Sequence, residues 1–337
     1  MGKLGVGVVG VGGMGKRHAE NLRRLVPRAH LVAVADADGA RAAEVAAGLE
    51  IEHWCSSLEA MLERKDIAAV VISSPDKFHA SAVKAAAEAG KHVLCEKPLG
   101  LDLQSAQGAL QAVAKAGVHL QVGFMRRYDP AYAAAHQRIE AGEIGDPVAF
   151  KSIGRDKKMP PLTAYQSGVN GMLLFANTIH DFDLARWLMH DEVAEVHTFA
   201  TTAIRPEIAQ YGDVVASTVN LRFACGAIGN VESYVQAQYG YDVRTEIVGS
   251  KGSIFVGTLR QNSAAFLQPG RGCYELEDHF LSRFRDAYVA EVLDFVDTIL
   301  NEREPRITGA DGLRAVEIAA AAEKSYRTKN PCLVEGI

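Results

Sequence analysis

The feature that most constrains this chain is a glycine pattern near its start. Val8-Val9-Gly10-Val11-Gly12-Gly13-Met14-Gly15 carries G-x-G-x-x-G at Gly10, Gly12 and Gly15. The pattern alone is weak, but its context is specific. The apolar run Lys3–Val9 precedes it, a helical pattern near Gly13–Leu25 follows, and a second apolar run, Leu31–Ala35, ends at Asp36. A strand, a glycine turn, a helix and an acid at the end of the next strand are the parts of a dinucleotide-binding unit. Gly10 permits the tight turn, Gly12 lets the backbone approach a pyrophosphate, and Gly15 lets helix and strand pack closely. Gly13 and Met14 open the helix, whose free N–H groups and positive dipole end suit an anion. Asp36 accepts hydrogen bonds from ribose hydroxyls and repels a 2′-phosphate, which favours NAD over NADP; Arg41 nearby softens that preference.

The same alternation continues to about residue 125. Ala69–Ser73, His92–Cys95 and Val118–Val122 read as strands, with helices at Asp76–Ala89 and Leu103–Ala116 closed by Gly90 and Gly117. Continuous Val/Ile/Leu runs separated by helices predict an α/β Rossmann domain, a doubly wound parallel sheet covered on both faces. Ser73, Ser74 and Pro75 follow one of these strands at the carboxyl edge, where ligands gather. Asp76 is an alternative reason for that segment, as a helix cap.

The second half changes character. After a helix at Pro130–Ala141 come a strand near Val148–Ile153, a polar loop over residues 155–170 and a helix near Met172–Met189. Then strand follows strand: Glu195–Thr202, Val214–Phe223, Ala227–Gln236, Arg244–Gly249, Ser253–Val256 and Ala264–Leu267. That predicts an α+β domain with a mostly antiparallel sheet. A boundary near Gly123–Asp129 gives domains 1–125 and 126–337.

Composition excludes several classes. The formal net charge of −5 and the lack of long basic runs argue against nucleic acid. No apolar run is long enough to span a membrane. Met1-Gly2-Lys3-Leu4 leads straight into the first strand without a signal-peptide pattern, and five scattered cysteines form no C-x-x-C pair. A cytoplasmic location is expected.

Two residues have the chemistry for catalysis. Lys97, in Glu96-Lys97-Pro98, follows a strand at the carboxyl edge and can stabilise alkoxide charge on a substrate hydroxyl, or be an ordinary surface lysine. His180, in Ile179-His180-Asp181-Phe182-Asp183, suits a general base, or a structural helix histidine. On a continuous helix Asn177 and Ala176 would share its face. His180 with Asp181 and Asp183 could suggest a metal site, but neighbouring residues on a helix face apart and no second His/Asp/Glu cluster is evident, so none is expected.

With these residues in hand, the chain resembles the glucose–fructose oxidoreductase/inositol dehydrogenase/rhizopine catabolism family over essentially its whole length. It is most similar to the inositol 2-dehydrogenase branch. Gly123-Phe124-Met125-Arg126-Arg127-Tyr128-Asp129, Arg155-Asp156, Gln238-Tyr239-Gly240-Tyr241-Asp242 and Arg283-Phe284-Arg285-Asp286 carry that similarity. The resemblance implies an open-faced sheet in the second domain, oligomers (dimers or tetramers) packed through it, and a polyol or sugar substrate oxidised at a secondary hydroxyl. It implies Lys97 as catalytic lysine, His180 as proton acceptor, and Arg127, Asp156, Asn177 and Tyr239 as substrate-binding residues. Cofactor contacts would come from Gly10, Gly12, Gly13, Met14, Gly15, Asp36, Ser73, Ser74, Pro75, His79, Glu96 and Lys97, with the Lys97–Pro98 bond cis. One departure stands out: the family usually has an aspartate four residues before the histidine, preceded by a glycine pair. Here those places hold Ala176 and Gly171-Met172. The departure motivates two further readings, a redox-neutral enzyme working through transient oxidation and a non-catalytic NAD-binding sensor.

Overall fold

The computed structural model describes residues 2–168 and 172–335. The chain divides into two compact units, Met1–Met125 with Asp286–Val316, and Arg126–Arg285 with Glu317–Ile337.

In the first unit the apolar runs form strands and the Ala-rich segments form helices: β1 (Leu4–Val9), α1 (Gly13–Arg24), β2 (Ala29–Ala35), α2 (Gly39–Gly48), β3 (His53–Cys55), α3 (Leu58–Leu62), β4 (Ala69–Ile72), α4 (His79–Glu88), β5 (His92–Glu96), α5 (Leu103–Ala116) and β6 (Leu120–Gly123). All strands run parallel in the order β3-β2-β1-β4-β5-β6. The order reverses between β1 and β4, so the turns after these strands open beside one another at the carboxyl edge. β3 escapes the sequence pattern because His53-Trp54-Cys55 offers no apolar run. Pro75, not Asp76, stands at the cap of the short turn Asp76–Phe78 that leads into α4.

The two faces of this sheet have separate cores. Val6, Val8, Leu31, Val34 and Val71 pack with Leu22, Ala42 and Val45 on one side. Val70, Ile72, Val93 and Cys95 pack with Val83, Ala86, Ala106 and Ala109 on the other. Residues 286–316 return to this unit from the far end of the chain, and Val292, Phe295 and Val296 fill the first of these cores. Nothing local in that late helix names its long-range partner.

The second unit holds α6 (Pro130–Glu140), β7 (Pro147–Asp156), α7 (Leu162–Ser167), α8 (Leu173–Ala176), α9 (Ile179–Met189), β8 (Val193–Thr201), β9 (Ala216–Phe223), β10 (Ile228–Val235), β11 (Asp242–Gly249), β12 (Ser253–Val256) and the small hairpin β13 (Phe266–Gln268) and β14 (Arg271–Cys273). The chain ends through α10 (Phe280–Arg283), α11 (Arg285–Leu300), α12 (Gly309–Thr328) and β15 (Cys332–Leu333). Seven strands form one sheet, β12-β11-β7-β10-β9-β8-β15, antiparallel throughout except for the parallel pair β7–β10. One face carries buried residues such as Phe150, Ser152, Val219, Leu221, Val231 and Val243. The alternate residues, among them Phe199, Ile228 and Phe255, are exposed on the other.

Two local expectations change. β7 runs on through Arg155 and Asp156, so this pair ends a strand instead of starting a loop, and α7 lies within the expected loop. The single helix expected over Met172–Met189 breaks in two. Thr178 turns its hydroxyl back to the Leu173 carbonyl at 3.2 Å and to Ser233 at 2.9 Å. The backbone amides of Asn177 and Thr178 both reach the Leu173 carbonyl, and α9 starts afresh at Ile179. Such hydroxyl bonding competes with the helical ladder. Ala176 and Asn177 therefore do not sit one turn below His180 on a continuous helix. Gly171 of the expected Gly171-Met172 pair and Asn170 of the expected loop lie outside the described residues.

Candidate active site

The cofactor site is built by the β1 and β4 turns. Gly10 has φ +80°, and a Cβ there would lie 2.6 Å from the Ser74 amide nitrogen. A Cβ on Gly15 would lie 1.7 Å from the Gly10 carbonyl oxygen, so only glycine lets α1 approach β1 this closely. At Gly12 a Cβ would meet nothing within 4 Å and would project into open space. That space belongs to a cavity of about 740 Å³ lined by Gly10, Gly12, Asp36, Arg41, Ser73, Ser74, Pro75 and Phe78. No side chain caps α1, so the first-turn amides at Gly13 and Met14 carry the anion-attracting end of the helix.

Asp36 accepts hydrogen bonds from the amides of Val11 and Asp38, both at 2.9 Å. These bonds fix its carboxylate at the end of β2 while leaving lone pairs for a diol. Arg41 lies 3.3 Å from Asp36 and 3.3 Å from Asp38. Ser56, Ser57 and Leu58 complete the wall; sequence reasoning missed them because they follow the unrecognised β3. The shape, the bare amides and the placed acid fit NAD.

Gly13, Met14, Gly15, His79, Glu96 and Lys97, also expected among the cofactor contacts, do not line this cavity. His79 is buried, with Nδ1 2.8 Å from the Pro98 carbonyl and Nε2 2.7 Å from the Ser74 carbonyl. It ties the turn after β4 to the turn after β5. The Lys97–Pro98 bond in that second turn is cis. Glu96 points inward, 2.7 Å from His18 Nε2. Burial would raise its carboxyl, but the His18 hydrogen bond and the charges of His18, Lys97 and His79 outweigh burial and hold it below the usual carboxylate range. Glu291, from α11, completes a buried trio with His18 and Glu96. Burial, and then the charge of Glu96, pushes Glu291 well above the usual carboxylate range. Glu291 therefore keeps its proton above the pH at which a free carboxyl loses it.

In the second unit, a buried polar network holds the start of α9. Arg126 pairs with Asp181 at 2.6 Å, and Ser152 donates to the same carboxylate at 2.6 Å. Ser152 also meets Thr245 at 3.0 Å, and Thr245 meets Tyr132 at 2.8 Å. Burial opposes the charge on Arg126, yet Asp181 more than compensates and the guanidinium is held firmly charged. Arg127 grips Asp183 through two bonds of 2.9 and 2.5 Å. His180, mostly buried, is thus flanked by two anchored acids. Both acids are arginine partners, which explains an Asp181/Asp183 pairing that invites a metal reading in sequence.

A second cavity, about 300 Å³, is lined by Asp156, Lys157, Lys158, Asn177, Tyr241 and His279 among others. Of the four expected substrate residues, the structure brings two together here: the Asn177 amide donates to the Asp156 carboxylate. Arg127 is committed to Asp183. Tyr239 donates to Asp242 at 2.8 Å and accepts from Arg155 at 2.9 Å, outside this cavity. Tyr241, Lys158 and His279 are not among the residues expected at the site, because nothing local distinguishes them from other polar residues in strands and loops.

Comparison with known proteins agrees with this architecture. Residues 4–124 match the family model described as an oxidoreductase family with an NAD-binding Rossmann fold, and residues 132–255 match the Gfo/Idh/MocA C-terminal domain. The chain belongs to the Gfo/Idh/MocA oxidoreductase family. It is 39% identical over 324 residues to scyllo-inositol 2-dehydrogenase (NAD(+)) of Bacillus subtilis, covering 96% of this chain and 94% of that protein. It is 36% identical to myo-inositol 2-dehydrogenase of Thermotoga maritima, covering 98% and 99%. Among solved structures, scyllo-inositol dehydrogenase from Lactobacillus casei, with bound NAD(H) and scyllo-inositol, superimposes with a TM-score of 0.93 at 29% identity, covering 99% of this chain and all of that one. This family member is an NAD-binding oxidoreductase with a Rossmann unit and a mixed, mostly antiparallel sheet unit. Among the described residues no helix is long and apolar enough to cross a membrane.

Proposed function

We propose that this protein is an NAD-dependent inositol dehydrogenase, oxidising a secondary ring hydroxyl of a cyclitol to a ketone. The observation that carries this reading is the pairing of a Rossmann unit that keeps Asp36 and Glu96-Lys97-Pro98 with a second unit whose α9 keeps His180, in a chain similar end to end to inositol 2-dehydrogenases. Bound NAD supplies the hydride acceptor. Lys97 hydrogen-bonds the reacting oxygen and stabilises its alkoxide character. His180 takes the hydroxyl proton, as a general base suited to neutral pH. Asp156 and Asn177 hold neighbouring ring hydroxyls. They are already oriented by their mutual bond, which lowers the cost of aligning the substrate.

Ala176 removes the aspartate that the family places before its histidine. The Asp156–Asn177 pair keeps a carboxylate in the second unit's cavity, and this favours retained dehydrogenase chemistry over the redox-neutral and sensor readings. Five free cysteines fit a reducing cytoplasm. The exposed Phe199, Ile228 and Phe255 on the open sheet face fit packing against a second copy. Replacing Lys97 by Met tests the assignment: turnover should vanish while NAD affinity changes little. Turnover retained by Lys97→Met would refute Lys97 as the catalytic group.

A further inference from the structure

The fold assembles a cluster in the second unit that the established chemistry does not use. On α6, His136 and Glu140 are four residues apart and so project from one face. His136 Nδ1 lies 3.5 Å from Glu140 Oε2. His190 follows the last residue of α9 and caps that helix in the left-handed region, φ +52°. Its ring centroid is 4.9 Å from that of His136. Each of the three residues offers one ligand atom within 4.8 Å of the other two.

The cluster is preorganised. The His136 ring is stacked on Trp187, with centroids 4.2 Å apart and planes 9° from parallel, so one ligand is fixed by packing. His136 is half-buried, whereas Glu140 and His190 are exposed and can adjust. Burial, with the charges of His190 and Arg127 and against that of Glu140, holds His136 below the usual imidazole range. The Arg127 charge is answered by Asp183.

We propose that His136, Glu140 and His190 form a binding site for a borderline-soft divalent ion such as Zn²⁺, clasping α6 to α9. Two imidazoles and one carboxylate are a common ligand set for this ion, and water completes the tetrahedron. Metal–ligand distances of about 2.0–2.2 Å require ligand atoms roughly 3.3–3.5 Å apart. The His136–Glu140 pair already has this spacing, and rotation of the exposed His190 side chain closes the rest. Because α9 begins with the segment bearing His180, an ion here would stiffen the element that presents the proposed base. The sequence hides the site because His190 lies far along the chain from His136.

The test uses the full chain, stripped with chelator and kept reduced. Zn²⁺ is titrated calorimetrically, Co²⁺ is followed by its tetrahedral visible absorption, and melting temperature is read with and without Zn²⁺. His190→Gly removes a ligand and suits the positive φ, so it keeps the fold; Glu140→Gln removes the carboxylate charge from an exposed position. The wild type should bind one equivalent that both variants lose or bind at least tenfold more weakly. Zn²⁺ should raise the melting temperature of the wild type only. Equal stoichiometry and affinity in wild type and variants, or no binding by the wild type, would overturn the proposal.

Discussion

Replacing Glu291 by Gln should change how stability depends on pH. Glu291 is fully buried beside Glu96 and His18, and its carboxyl is held protonated well above the usual range. In the unfolded chain the same carboxyl ionises near the ordinary value of about 4.3. Above that pH the folded state holds a proton that the unfolded state has released. The unfolded state then binds fewer protons, so stability falls as pH rises toward the raised folded value. Within that window each pH unit costs about 1.4 kcal/mol, the linkage value of one proton held by one state and not by the other. Gln is neutral at every pH and similar in shape, so it removes the slope. Urea unfolding of both proteins, followed by circular dichroism from about pH 5 upward, should show the variant gaining on the wild type as pH rises. Glu96, held low, contributes the opposite dependence, below the unfolded value, so the two windows do not overlap. Parallel pH dependences for wild type and Glu291→Gln would show that Glu291 is ionised in the fold and would refute the reasoning.

Asp36→Ser should weaken NAD binding roughly tenfold to a hundredfold, the value of one or two charge-assisted hydrogen bonds, and should improve NADP relative to NAD by freeing Arg41; fluorescence titration with both cofactors checks this, and an unchanged NAD/NADP ratio would count against it. Asp181→Ala leaves Arg126 buried and uncompensated, at a cost of about 3–5 kcal/mol, visible as a large drop in urea midpoint; a shift below about 1 kcal/mol would mean the pair is not structural. Ala176→Asp restores a carboxylate near the start of α9. With the helix broken at Thr178, that carboxylate is off the turn below His180, so the pH–rate profile should stay in place; a limb moved to higher pH would show that it reaches the imidazole.

The Rossmann unit was legible because its signals are local. A run of Val, Ile and Leu makes a buried parallel strand, Gly117 ends a helix in the left-handed conformation at φ +67°, and Gly15 admits no side chain. The cofactor turn and Asp36 followed from the same local rules. What stayed hidden depended on tertiary partners. Residues 286–316 rejoin the first unit because Phe295 and its neighbours need an apolar face that no local pattern names. The break before His180 comes from the Thr178 hydroxyl finding Ser233, a residue of a strand far along the chain. His79 and Glu96 sit next to cofactor-site residues in sequence, and only the three-dimensional course of the turns shows that they brace the site from behind. Arg127 drew attention as a possible substrate ligand, yet Asp183, the partner that engages it, is visible only once α9 is folded.

The most direct test of the account is oxidation of scyllo- and myo-inositol by the purified protein with NAD, read by NADH absorbance and by the mass of the product. NADH in equal amount to a ketone two mass units lighter than the cyclitol, abolished by Lys97→Met, is the predicted result. Product formed without net NADH, or NAD bound with no turnover of any inositol, would contradict it.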